Sequence, residues 1–352
     1  SRVRKYNSAL EASLDADNVS VEVYDNLIAS VHANLNYMYR YMKLRKKLLG
    51  LDELHMYDIY TPLVKEFKME VPYEKGWEMV LAGLQPLGQE YISLLKEGMD
   101  RGWIDVYENE GKTSGAYSWG AYETHPYVLL NYDNKLDDVF TVAHEMGHSL
   151  HTYYSNSNQP FVYGQYTIFV AEVASTVNES LLIDYLIKNS SSREEKIYLI
   201  NHYLEEFRGT VYRQTMFAEF EKIVHEKVEQ GEALTPELLN NIYRELNSLY
   251  YGPDVILDQE IDIEWARIPH FYSAFYVYKY ATGFSAATAL KQQILDEGQP
   301  AVERYINFLK GGSSDYPINL LKKAGVDLST PEPVEDALQY FGRLVEEMES
   351  LV

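Results

Sequence analysis

The stretch Phe140-Thr141-Val142-Ala143-His144-Glu145-Met146-Gly147-His148-Ser149-Leu150-His151 sets the pattern His-Glu-x-x-His inside an apolar run with helical spacing. Asp137 and Asp138, just upstream, suit the first turn of that helix. At about 100° per residue, His144 and His148 lie about 40° apart on one face, with His151 about 20° from the first. Two imidazoles one turn apart can hold one metal ion, and Glu145 sits at the edge of the same face.

A zinc site of this kind needs a third ligand from elsewhere in the chain. Tyr154 stands where a metzincin requires His, and His151 where it requires Gly, which excludes that class. A ferritin-like di-iron site needs a second Glu-x-x-His, and no other histidine has Glu three residues before it. The 26 residues between Glu145 and Glu172 contain no Asp or Glu. Glu172 then appears within Thr167-Ile-Phe-Val-Ala-Glu172-Val-Ala-Ser-Thr-Val-Asn-Glu179. A carboxylate among apolar residues needs a partner, which is either a metal ion or a buried Lys or Arg. Glu179, two turns on, shares its face and can orient a ligand imidazole; His151 is the other candidate for such a supporting role.

Around this centre the chain reads as helix-rich. Val23, Leu27, Ile28, Val31, Leu35, Met38 and Met42 recur at helical spacing after Asn18-Val19-Ser20. The basic run Lys43 to Lys47 reads as a solvated helix end. Residues 74–101 repeat the helical pattern. Ile104–Tyr107 and Tyr127–Tyr132 are β-rich, with Gly111, Gly115 and Gly120 between them. The second run, close before the metal helix, suggests peptide capture by edge pairing. From Leu136 onward the chain is helical again, and Gly311-Gly312-Ser313-Ser314 reads as a turn. No break is long enough for a linker, so one domain over 1–352 is expected. Within it, 1–101 are helical, about 102–133 hold a small sheet, 136–188 carry the metal-site helices, and 193–352 are helical again.

Composition narrows the function. With 31 Lys and Arg against 53 Asp and Glu, the formal charge is −22, a field that repels phosphate backbones and speaks against nucleic acid. The absence of cysteine removes disulfides, thiol nucleophiles and thiolate ligands, and fits the cytoplasm. No apolar segment follows Ser1-Arg2-Val3-Arg4-Lys5, so no signal peptide is expected, and no run reaches the roughly 18 apolar residues of a membrane span. Tyrosine occurs 32 times, each an apolar ring with a hydrogen-bonding tip.

Taken together, His144-Glu-Met-Gly-His-Ser-Leu-His151 and Phe169-Val-Ala-Glu172-Val-Ala-Ser-Thr-Val-Asn-Glu179 resemble oligoendopeptidase F of the thimet oligopeptidase family of zinc peptidases. So do Gly115-Ala-Tyr-Ser-Trp-Gly120, His125-Pro-Tyr-Val-Leu-Leu-Asn-Tyr132 and Arg267-Ile-Pro-His270-Phe-Tyr-Ser-Ala-Phe-Tyr-Val-Tyr278-Lys-Tyr-Ala-Thr-Gly283. Nearly the whole chain takes part, as the C-terminal catalytic portion of usually longer family members. The resemblance implies a mainly α catalytic domain with a small sheet beside the active-site helix. It implies one zinc ion on His144, His148 and Glu172, with Glu145 as general base. It further implies substrate or oxyanion contacts from His270 and Tyr278, with Tyr272, Tyr276, Gly120 and Tyr122 as peptide contacts. The expected activity is hydrolysis of internal bonds in short unstructured peptides. The residues alone also admit a metal-bearing module that binds peptides without cleaving them.

Overall fold

The computed structural model describes residues 2–64 and 69–352; Ser1 and 65–68, inside the stretch expected to be helical, lie outside the described residues. In chain order the elements are α1 (Ala9–Leu14), α2 (Val21–Ala33), α3 (Leu35–Leu49), β1 (Leu54–His55), α4 (Tyr73–Gly83) and α5 (Gly88–Asp100). Then come β2 (Ile104–Asp105), β3 (Tyr117–Trp119), β4 (Tyr127–Leu129), α6 (Leu136–Asn158), α7 (Ile168–Lys188) and α8 (Arg193–Phe207). The remainder comprises α9 (Arg213–Glu229), α10 (Pro236–Tyr251), β5 (Val255–Ile256), α11 (Tyr278–Glu297), α12 (Gln299–Leu309), α13 (Pro317–Lys323) and α14 (Glu332–Leu351). The protein is therefore mainly α with little sheet. Among the described residues, no helix is long and apolar enough to cross a membrane.

The chain forms two compact units, a division that falls inside the stretch expected to be one domain. The first unit takes in Ser1–Glu66, Ile200–Ser285 and Leu328–Val352. Its core joins Leu27 and Val31 of α2, Met38 and Met42 of α3, Tyr243 of α10 and Phe341 of α14, all buried. Tyrosine and glutamate are linked here by a common need. Buried hydroxyls require acceptors, and Tyr41 donates to Glu205, Tyr243 to Glu264 and Tyr250 to Glu219 at 2.5–2.8 Å. Arg45 corrects the solvated reading of the basic run. Its side chain is buried and pairs with Glu205 at 2.9 Å, also donating to Thr61 O at 2.6 Å. A guanidinium can enter a core when carboxylate and carbonyl oxygens meet its fork.

The second unit takes in Phe67–Leu199 and Ala286–Asp327. Its axis is α6, against which α4, α5, α7, α12, β3 and β4 all pack. The helix starts where Asp138 accepts hydrogen bonds from the backbone N–H groups of Asp133 (2.8 Å) and Lys135 (2.9 Å). The sheet runs β2-β4-β3, with β2 parallel and β3 antiparallel to β4. This order corrects the edge-pairing expectation, because β4 is flanked on both sides and β2 and β3 are the outer strands. The sequence had shown no strand at Tyr117–Trp119.

Candidate active site

Two helices of the second unit meet at one glycine. A Cβ on Gly147 would stand 2.5 Å from Ser175 Cα and 2.7 Å from Ala174 O, so only glycine lets α6 and α7 approach this closely. Asn178, fully buried, ties the same pair, donating to Ala143 O at 2.9 Å while accepting from Tyr91 Oη of α5 at 2.9 Å. The approach sets Glu172 of α7 opposite His144 and His148 of α6.

The three side chains converge. His144 Nε2 and His148 Nε2 are 3.1 Å apart, and Glu172 Oε2 lies 3.4 Å from the first and 3.5 Å from the second. Bonds of about 2.1 Å at tetrahedral angles separate ligand atoms by about 3.4 Å, so the donor set fits one zinc ion. The remaining ring nitrogen of His144, Nδ1, lies 3.0 Å from Glu179 Oε2. That carboxylate can accept a hydrogen bond from Nδ1–H, the tautomer that leaves the lone pair on Nε2.

The electrostatics follow from these contacts. Burial alone would raise the Glu172 carboxyl, but His144 and His148 hold it well below the usual carboxylate range. Burial lowers the His144 imidazole, and the Glu179 and Glu172 carboxylates reverse this to leave it well above its ordinary value. Glu145 is 6% exposed and its Oε2 has no hydrogen-bond partner. Burial raises its carboxyl against the pull of the two histidines. A buried carboxylate with an unsatisfied oxygen beside a cation site is suited to accept a proton.

Other expected residues fall variously. His151 is buried, its ring stacked 3.6 Å from that of Tyr166, and burial with His148 lowers it to about 3, so it is neutral. Its Nδ1 has no partner, and it packs rather than bonding to a ligand as Glu179 does. Gly120 approaches α6, where a Cβ would meet Thr152 Cγ2 at 2.6 Å. Tyr122 donates to Gln159 O at 2.8 Å, pinning the turn after α6. Two residues before Gly120, Ser118 Oγ lies 2.8 Å from Ser149 Oγ, fastening β3 to the residue that follows His148. Neither Ser118 nor Asn178 had been singled out from sequence.

In the first unit, His270 stands on a short 3-10 turn, Pro269–Tyr272, with its Nε2 3.3 Å from Tyr280 Oη and its ring stacked on Tyr276 at 6.1 Å. Tyr272 is almost fully exposed. Tyr278 is wholly buried, its ring 5.2 Å from that of Tyr24, and burial pushes its hydroxyl far up. The hydroxyl beside His270 is thus that of Tyr280, while Tyr276 meets it through its ring.

Comparison with known proteins agrees with this architecture. Oligopeptidase PepF of Bacillus subtilis (strain 168) is 57% identical over 351 residues, covering 100% of this chain and 52% of that protein. The chromosomal oligoendopeptidase F of Lactococcus lactis subsp. cremoris is 46% identical and is covered to 58%. The solved oligoendopeptidase-F of Enterococcus faecium superposes with a TM-score of 0.80 at 41% identity, over 99% of this chain and 56% of that one. The chain spans roughly half to three fifths of the length of these relatives. The model of peptidase family M3 matches residues 1–340, and the chain belongs to that family.

Proposed function

We propose that this chain hydrolyses internal bonds of short unstructured peptides with one zinc ion held by His144, His148 and Glu172. The observation that carries the reading is the mutual spacing of 3.1–3.5 Å among three ligand atoms beside a carboxylate with an orphan oxygen. When bound, zinc lowers the pKa of a water toward about 7 and draws charge from the substrate carbonyl. Glu145 takes the proton of the attacking water and passes it to the leaving amine. Glu179 keeps the His144 ring oriented through Nδ1.

By the family resemblance, His270 is the further candidate for a substrate or oxyanion contact, while Tyr278 is buried. Tyr272 offers a ring to the substrate from the same segment. Loss of one oxyanion donor costs about 2.7–4 kcal/mol in comparable enzymes. The outer strand β3, fastened at Ser149, receives an extended peptide by strand addition, which demands an unfolded substrate. The net charge of −22 favours peptides over nucleic acid, and the cysteine-free sequence suits a cytoplasmic site of action.

The test is Glu145→Gln, with zinc content measured beside cleavage of a quenched fluorescent peptide. Zinc is retained and turnover falls by several decades if Glu145 is the base; unchanged turnover in the zinc-loaded variant overturns the assignment.

A further inference from the structure

The outer strand β3 presents its backbone and its side chains in a way that says which peptides it takes. In β4, the N–H groups of Val128 and Leu130 donate toward β2, to Trp103 O and Asp105 O at 2.8 Å. Successive backbone groups of a strand point to opposite sides, so Tyr127 and Leu129 are the residues bonded to β3. Their register partners are Trp119 and Tyr117. The backbone N–H and C=O of Ser118 therefore point to the free edge, and among the described residues no strand lies beyond it.

The two faces of β3 differ sharply. Ser118 faces α6 through Ser149, and its register partner Val128 is buried. On the opposite face stand Tyr117 (53% exposed), Trp119 (72%) and Tyr127 (52%). Their fourth neighbour on that face is Leu129, beyond which β2 places Asp105, paired with Lys112 at 3.1 Å. Three aromatic rings left exposed together on so acidic a protein mark a contact surface.

We propose that Trp119 and Tyr117 select large apolar side chains at two alternate positions of the bound peptide, a reading that rests on peptide addition to β3. A peptide residue that exchanges both backbone bonds with Ser118 turns its side chain inward, toward α6. The residues on either side of it turn outward, directly opposite Tyr117 and Trp119, where cross-strand side chains meet at about 4.5–5.5 Å between Cβ atoms. The substrate class is then a peptide of the pattern apolar-x-apolar, with aromatic or branched side chains preferred over glycine and acidic ones. Aromatic cross-strand pairs reward such side chains, whereas carboxylates opposite the rings lose hydration without a partner.

Binding to the zinc-loaded Glu145→Gln chain tests this without cleavage. Two eight-residue peptides are compared, one with Leu and Phe at alternate positions and one with Ser and Gly there. The apolar peptide binds about tenfold tighter and shifts the Trp119 fluorescence to the blue. Trp119→Ala brings the affinity ratio close to one, and Trp119→Phe restores most of it. A ratio unchanged by Trp119→Ala and by Tyr117→Ala overturns the proposal. Ser118→Pro separates it from the reading beneath. Proline removes the edge N–H, which an outer strand tolerates, so both peptides weaken together while their ratio persists. Binding of both peptides undiminished in Ser118→Pro refutes strand addition, and failure of both peptides to bind the zinc-loaded Glu145→Gln chain refutes both.

Discussion

Gly147 of α6 lies directly against the backbone of Ser175 of α7, closer than any residue with a Cβ could. This contact brings Glu172 to the two imidazoles, because Glu172 is one turn before Ser175 while His144 and His148 bracket Gly147. A glycine inside a long helix normally costs about 1 kcal/mol relative to alanine. Here the cost is offset by a close helix crossing and a converged site.

Gly147→Ala therefore destabilises despite better helix propensity. The atoms it meets are backbone and cannot turn aside, so α6 and α7 must part, at about 1–3 kcal/mol. Zinc affinity falls with stability, since Glu172 recedes from the imidazoles. Thermal melts together with zinc titration check this, and a variant more stable than the parent with full zinc affinity contradicts it.

Glu179→Ala removes the carboxylate from His144 Nδ1, 3.0 Å away. Loss of such an outer partner lowers metal affinity about 10–100-fold. Competition with a chromophoric chelator measures the change, and the fold, read by circular dichroism, stays intact.

Zinc removal lowers stability, because a ligand that binds only the folded chain stabilises it by mass action. At a free concentration one hundred times Kd the contribution is about 2.7 kcal/mol. Melting temperatures with excess zinc and with chelator should differ in the parent chain. Glu172→Ala should shrink that difference; an equal difference in both would show that zinc binds elsewhere.

Stability depends on pH through Glu221 of α9, which is buried and has no ion pair among the described residues. Its Oε1 accepts from Phe275 N–H at 2.9 Å, its Oε2 has no partner, and burial raises it from 4.5 to about 7. Phe275 itself has φ of 57°, a strained left-handed conformation for a bulky residue that this bond helps to hold. An acid raised on folding contributes most stability below its unfolded pKa and loses it as pH rises through its folded one. The loss between 4.5 and about 7 amounts to about 3 kcal/mol. Over that window the parent chain should lose melting temperature faster than Glu221→Gln, and parallel curves would exclude the effect.

The metal helix was legible in the chain because its message is local. A helical period places residues four apart on one face whatever the surroundings, so His144 and His148 could be paired without a structure. Glu172 was legible for a related reason, a carboxylate set between apolar residues that must find a cation. The helical majority followed from the same periodicity.

Tertiary structure decided what depends on distant segments. Strands of two or three residues, such as Leu54–His55 paired with Val255–Ile256 and Tyr117–Trp119 beside β4, carry too short a period to be read locally. Spacing marked the aromatic rows after Pro269, but burial sent Tyr278 into the core and grouped Tyr276 and Tyr280 with His270. Arg45 looked like part of a solvated run until Glu205, 160 positions away, supplied its counter-charge. Periodicity specifies which side chains share a face; which face is buried, and against what, is settled only when remote parts of the chain compete for the same apolar surface.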